Sequence, residues 1–291
     1  MPNSSTRRIP LPTGVELDTD LGGPPGAPPI LFLHGFPESR RTWRHQIADL
    51  ARDHQVAAPD QRGYARSSKP RGVPAYRIDE VVADALALAD TLGWDRFTLA
   101  GHDWGGAVAW AAALKHPERV ARLVIANAPH PHVFRQTLLR DPAQRRASAY
   151  IAAFRFPGAI SLAEALGPER IWKLFSRTIP TRLLSNEDKA AYLDEWSQPG
   201  AIRGMMNWYR AMNPPPGEPS DDFPRIMQPT LVLWGMKDAA LLPVQIEGLE
   251  RYVPDLTIER LPGAGHFSPW EAPAEVTAAM RRFLAARPIA A

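Results

Sequence analysis

The run Phe97-Thr98-Leu99-Ala100-Gly101-His102-Asp103-Trp104-Gly105-Gly106 constrains this chain more than any other segment. An apolar stretch of strand character leads into Gly-x-Asp-x-Gly. Behind it, Gly105–Lys115 is small and apolar almost all round, the pattern of a helix buried against a sheet. The flanking glycines allow a sharp reversal and a close strand–helix approach, which places Asp103 at the tip of the bend in an αL-like conformation. An aspartate there can also do no more than cap the helix or accept from turn amides. The rest of the chain has to decide between these readings.

Other short apolar runs end in turn residues: Ile30–Leu33, Gln55–Ala58, Leu123–Ala126, Thr230–Trp234 and Leu256–Leu261. Runs this short and this apolar fit strands covered on both faces of a parallel sheet. Helical stripes separate them. Ile78, Val81, Val82, Ala85, Leu88, Ala89 and Leu92 recur at three- and four-residue spacing, and Pro273–Ala286 forms a last amphipathic segment. The alternation predicts an α/β fold, a mostly parallel central sheet flanked by helices with right-handed crossovers. Between about Pro129 and Asp222 the strand signal stops. Helical patterns dense in aromatic residues fill this stretch, among them Phe154, Trp172, Trp196, Trp208 and Tyr209. Proline-rich punctuation brackets it at 129–131 and 213–219. We read residues 131–221 as a helical lid inserted into a core made of 1–130 and 222–291.

Composition narrows the function classes. The 291 residues are 45% hydrophobic and 22% charged with a formal net charge of +3, and the basic residues are scattered rather than gathered in a stripe or tail. That argues against nucleic acid as a partner. With no cysteine, disulfides and thiolate metal sites are excluded. Arg7 and Arg8 precede no apolar stretch of signal-peptide type, and no apolar segment is long enough to span a bilayer. The expectation is a cytoplasmic protein with no membrane partner, acting as a monomer or homodimer.

Two later features favour the chemical reading of Asp103. Asp238 follows the run Leu231–Trp234, and His266 lies on the glycine-rich loop after Leu256–Leu261. Nucleophile, acid and histidine thus arise in that order at the ends of successive strands. His34-Gly35-Phe36-Pro37 follows an early strand, and the amides of Phe36 and Trp104 are the candidate oxyanion donors. His34 and His102 are read as structural. A carboxylate is already ionised at neutral pH, so it needs no base before attacking carbon, and His266 is left to activate water against the resulting ester. In the lid, Ile202, Met205, Met206 and Tyr209 share one helix face, which makes the Tyr209 hydroxyl a candidate proton donor, with Tyr150 second. Either could instead be a core tyrosine bonded to a backbone carbonyl.

These residues together resemble the epoxide hydrolases of the α/β-hydrolase superfamily, over about Leu31 to Leu284. The resemblance is carried by His34-Gly35-Phe36-Pro37-Glu38-Ser39, Pro59-Asp60-Gln61-Arg62-Gly63-Tyr64, Gly101-His102-Asp103-Trp104-Gly105-Gly106, Asn207-Trp208-Tyr209-Arg210 and Tyr150-Ile151-Ala152-Ala153-Phe154. It implies the α/β-hydrolase fold, Asp103 as nucleophile, His266 as base, Asp238 as its partner, and Tyr150 and Tyr209 as donors to the ring oxygen. The implied partners are a small, largely apolar epoxide and water, without cofactor or metal. Phe36, Trp104, Phe154, Met205 and Met206 are the candidate substrate-binding residues. Ala65 stands where the family usually has Gly, Ser268-Pro269 where a Gln is more usual, and Ala149 where an aromatic is common. A haloalkane dehalogenase shares the elbow aspartate and Trp104. However, the halide-clamping Asn of some members falls at Phe36 here, and the Arg of fluoroacetate-type relatives falls at Trp104. A non-catalytic ligand binder on the same scaffold is the third reading.

Overall fold

The computed structural model describes residues 5–180, 183–212 and 222–289, so the proline-rich tract at 213–219 lies outside the described residues. Eight strands form one sheet: β1 (Ser5–Pro10), β2 (Glu16–Gly22), β3 (Pro29–Leu33), β4 (Gln55–Pro59), β5 (Phe97–His102), β6 (Val120–Ala126), β7 (Thr230–Gly235) and β8 (Leu256–Leu261). Their order is β1-β2-β4-β3-β5-β6-β7-β8. From β4 to β8 every neighbouring pair is parallel, while β1 and β2 add an antiparallel edge.

Alternation along the strands sends successive side chains to opposite faces. Ile30, Phe32, Val124 and Leu233 point to a layer made by α1 (Arg44–Leu50) and the C-terminal helix, whose Ile47, Met280 and Phe283 they join. Leu31, Leu33, Leu99 and Ile125 point the other way, to α2 (Ile78–Thr91) and α3 (Trp104–Lys115). The parallel register aligns the strand ends: Leu33 lies opposite Gly101, His102 opposite Ala126, Ala126 opposite Leu233, and Gly235 opposite Leu261. Everything that follows these ends is delivered to one edge of the sheet, where open α/β folds place their ligands.

Between β6 and β7 the described residues form helices and no strand. They are α4 (Pro131–Arg140), α5 (Pro142–Ala147), α6 (Ala149–Arg155), α7 (Ala159–Phe175), α8 (Asn186–Ser197) and α9 (Ala201–Ala211). α7 is broken at Gly167, whose φ of 72° and ψ of 171° leave the helical region just before Pro168. Ser185 and Asp188 close a capping box at the start of α8. Asp188 also receives Arg41 and Arg44 of the core at 3.2 and 3.5 Å, and the Trp196 indole donates to the Pro37 carbonyl at 2.8 Å. This segment is therefore tied to the loop after β3. After β8 the chain ends in α10 (Ser268–Glu271) and α11 (Pro273–Ala286). No helix among the described residues is long and apolar enough to cross a membrane.

Candidate active site

Asp103 joins β5 to α3 with φ 50° and ψ −118°. The φ is positive, as the glycine spacing predicts, but the ψ is far from the αL value near +47°, which corrects the αL-like expectation. A non-glycine residue held in such a region stores strain that its surroundings must enforce. They do so by close approach: a Cβ on Gly105 would lie 2.3 Å from the Leu33 carbonyl oxygen, so only glycine lets α3 start this near to β3.

The carboxylate is divided between two neighbours. Its Oδ1 accepts from the Phe36 amide at 2.8 Å, and its Oδ2 faces His266 Nε2 at 3.5 Å. Trp104 opens α3, so its amide has no acceptor within the helix and sits directly beside Asp103. His266 Nδ1 donates to Asp238 Oδ2 at 2.7 Å. Asp238 is buried and its other oxygen accepts from the Ala240 and Leu241 amides, each at 2.9 Å. The side chains of His266 and Asp103 retain 14% and 11% of their exposure.

Burial alone would raise both carboxylates, but His266 and nearby donors outweigh it and hold Asp103 and Asp238 below the usual range. For His266 burial works downward, yet Asp238 and Asp103 flank it and raise it well above its ordinary 6.5. The resting arrangement is thus an imidazolium between two carboxylates.

Above this centre stand aromatic rings. Tyr209 lies edge-on to Phe36 at 5.0 Å and to Trp104 at 5.2 Å, with Phe154 at 5.0 Å and Tyr150 at 6.1 Å between centroids. Burial, followed by the Asp103 charge, pushes the Tyr209 hydroxyl well above its ordinary value, and Tyr150 moves up for the same reasons. Both therefore keep their protons. Met205 and Met206 are buried on the helix face shared with Tyr209.

Two residues, Asn127 and Glu38, escaped the sequence reading, and His102 was read only as structural. Asn127, buried at the end of β6 with φ 41°, donates to Asp238 Oδ2 at 2.8 Å and accepts from the Gly235 amide at 3.0 Å. Glu38 and His102 are both buried and lie 2.8 Å apart, and His102 Nε2 donates to the His266 carbonyl at 2.9 Å. The only signals were an Asn at a strand end and a Glu directly after the His-Gly-Phe-Pro run. His34, read as structural, is so: burial lowers it to about 4, and its Nε2 accepts from the Gln61 amide at 3.0 Å.

Residues 28–273 match the family model for the α/β hydrolase fold. Epoxide hydrolase A of Mycobacterium tuberculosis is 33% identical over 314 aligned positions, covering 96% of this chain and 97% of the relative. A solved structure described as a novel epoxide hydrolase from metagenomes of hot environments is 45% identical with a TM-score of 0.89, over 98% of this chain and 99% of the other. The Bacillus megaterium epoxide hydrolase, solved with an inhibitor, is 31% identical with a TM-score of 0.88, over 96% and 100%. Fold, site geometry and kinship converge: the chain belongs to the epoxide hydrolases of the α/β-hydrolase superfamily.

Proposed function

We propose that this protein converts a small, largely apolar epoxide and water into a vicinal diol through an ester on Asp103. Oδ1 stays with the Phe36 amide, so Oδ2 attacks the ring carbon and the carbon–oxygen bond of the ring breaks. The ring oxygen takes a proton from Tyr209, assisted by Tyr150, and the tyrosine is reprotonated at the expense of the His266 imidazolium. His266, now neutral, draws a proton from water as the water attacks the ester carbonyl carbon. The Phe36 and Trp104 amides receive the developing oxyanion, a kind of contact typically worth about 100- to 1000-fold in rate. Collapse expels the diol carrying the former Oδ2, which takes the second hydrogen of the attacking water, and the solvent oxygen remains in the Asp103 carboxylate. Residues 131–221 act as the lid and bring Tyr150 and Tyr209 to the core.

The observation that carries this reading is the split carboxylate, one oxygen fixed by an amide and the other free beside a histidine that is itself bound to an acid. A single turnover in ¹⁸O-labelled water tests it: the label should appear in the peptide containing Asp103. His266→Gln should form the ester from styrene oxide and then stall. Absence of both label and adduct removes the two-step scheme. Parallel incubation with 1-bromobutane, scored for bromide, tests the dehalogenase alternative.

A further inference from the structure

α9 meets the core backbone to backbone. A Cβ on Gly204 would lie 2.4 Å from the Gly63 carbonyl oxygen and 2.6 Å from the Gly63 Cα. Gly63 has a φ of +91°, and a Cβ there would come within 2.7 Å of the Tyr76 ring and 2.9 Å of the Gly204 carbonyl carbon. One turn further along α9, the buried Trp208 donates its indole N–H to the Arg62 carbonyl at 3.0 Å. That carbonyl is itself immobilised, because the Arg62 guanidinium is clamped by both oxygens of Asp84 and by the Ala75 carbonyl. Tyr209 follows Trp208 directly. Its own hydroxyl is not what holds it; its place is set by where the helix backbone rests. α6, which carries Tyr150, has no fully buried residue, Tyr150 itself being partly buried.

We propose that Gly63, Gly204 and Trp208 are positioning residues that fix the height and rotation of α9 and thereby aim the Tyr209 hydroxyl. The proposal rests on the donor role given to Tyr209 above. Adding a methyl group at Gly204 forces α9 to retreat by about 1 Å before ordinary contact with Gly63 is restored, and a displacement of that size at a reacting group is worth roughly 100-fold in rate. Trp208→Phe removes the bond to Arg62 without adding bulk, and the loss of one hydrogen bond corresponds to roughly tenfold or less.

The test separates the two chemical steps with styrene oxide as probe. Ester formation on Asp103 is followed by rapid quench and mass spectrometry, and ester decay is followed after excess substrate is removed. Gly204→Ala should slow formation about 100-fold and leave decay, the work of His266 and Asp238, at the wild-type rate. In a Tyr209→Phe background Gly204→Ala should add no further slowing, because the group it misplaces is already gone. Tyr209→Phe that forms ester at the wild-type rate overturns the donor role itself. Tyr209→Phe that is slow, with Gly204→Ala slowing it by its full factor again, overturns the positioning role alone. Equal slowing of formation and decay by Gly204→Ala also overturns it, as general distortion. Should Gly204→Ala fail to fold, Trp208→Phe runs the same cycle under the same criteria.

Discussion

Asn127→Ala offers a quantitative check on how Asp238 is held. The amide donates to Asp238 Oδ2 at 2.8 Å, the same oxygen that receives His266, and its own oxygen takes the Gly235 amide at 3.0 Å. Truncation removes a hydrogen bond to a buried carboxylate, about 1.5–3 kcal/mol, and leaves a buried N–H unsatisfied, about 1–3 kcal/mol. The expected loss of unfolding free energy at pH 7 is about 2.5–6 kcal/mol, a large share of a typical 5–15 kcal/mol total. The pH dependence has a definite sign. Burial raises Asp238, but His266, the Leu241 amide and Asn127 outweigh it and leave it depressed. A depressed carboxylate contributes stability that is present above its unfolded pKa of about 3.9 and lost as pH falls through the folded value. The charge-assisted part of the penalty should fade on acidification, and the Gly235 part should persist. Urea unfolding of wild type and variant, from pH 7 downward while both remain folded, measures this. A penalty below about 1 kcal/mol at pH 7, or one that grows on acidification, refutes the assignment.

Gly235→Ala would place a Cβ 1.9 Å from the Gly265 carbonyl oxygen and so drive apart the loops bearing Asp238 and His266, stretching their 2.7 Å bond beyond hydrogen-bond range. Ester decay should slow by about 100-fold or more while ester formation changes less, and unchanged decay by rapid quench would count against the pairing. His266 is lowered by burial but raised further by Asp238 and Asp103, so its charge contributes stability that is complete below about pH 6.5 and lost as pH rises through the higher folded value. Thermal unfolding of the wild type should therefore weaken toward alkaline pH more than that of His266→Gln, and parallel curves would contradict the ion-pair geometry.

The legible parts of this molecule are those in which one physical effect dominates. β8 and α11 begin and end where the hydrophobic pattern puts them, at Leu256–Leu261 and Pro273–Ala286. α11 buries one face through Val276, Ala279, Met280, Phe283 and Leu284, while β8, at the sheet edge and only partly buried, is bounded by the turn residues that close its apolar run. β1 and β2 were not anticipated, because Ser5–Pro10 is exposed apart from Ile9 and carries Arg7 and Arg8, and Glu16–Gly22 shows only the weak alternation of Leu17, Thr19 and Leu21. Edge strands owe their form to a neighbour rather than to burial of their own. Asp103, Asp238 and His266 were legible from glycine spacing at strand ends, and the structure brings them together. Asn127 and Glu38 were not, since their meaning lies in contacts with Asp238 and His102, 111 and 64 positions away, which no local pattern encodes.

Under the two-step mechanism proposed above, the electrostatics of the site would let one histidine serve both steps. At rest, Asp103, His266 and Asp238 together carry one net negative charge, and two carboxylates keep the imidazole protonated. In that proposed mechanism, ester formation neutralises Asp103. The alkoxide it creates takes the proton that His266 surrenders by way of Tyr209, so the buried site still holds a single negative charge, now on Asp238 alone. Removing the Asp103 charge also removes one of the two influences that hold His266 protonated, and the base required for hydrolysis arises because the first step has occurred. Attack by water returns a proton to His266 and a charge to Asp103, restoring the resting state without the site ever taking on additional net charge, which would be costly to bury. Tyr209 fits this cycle only as a neutral group, which is how burial and the Asp103 charge hold it.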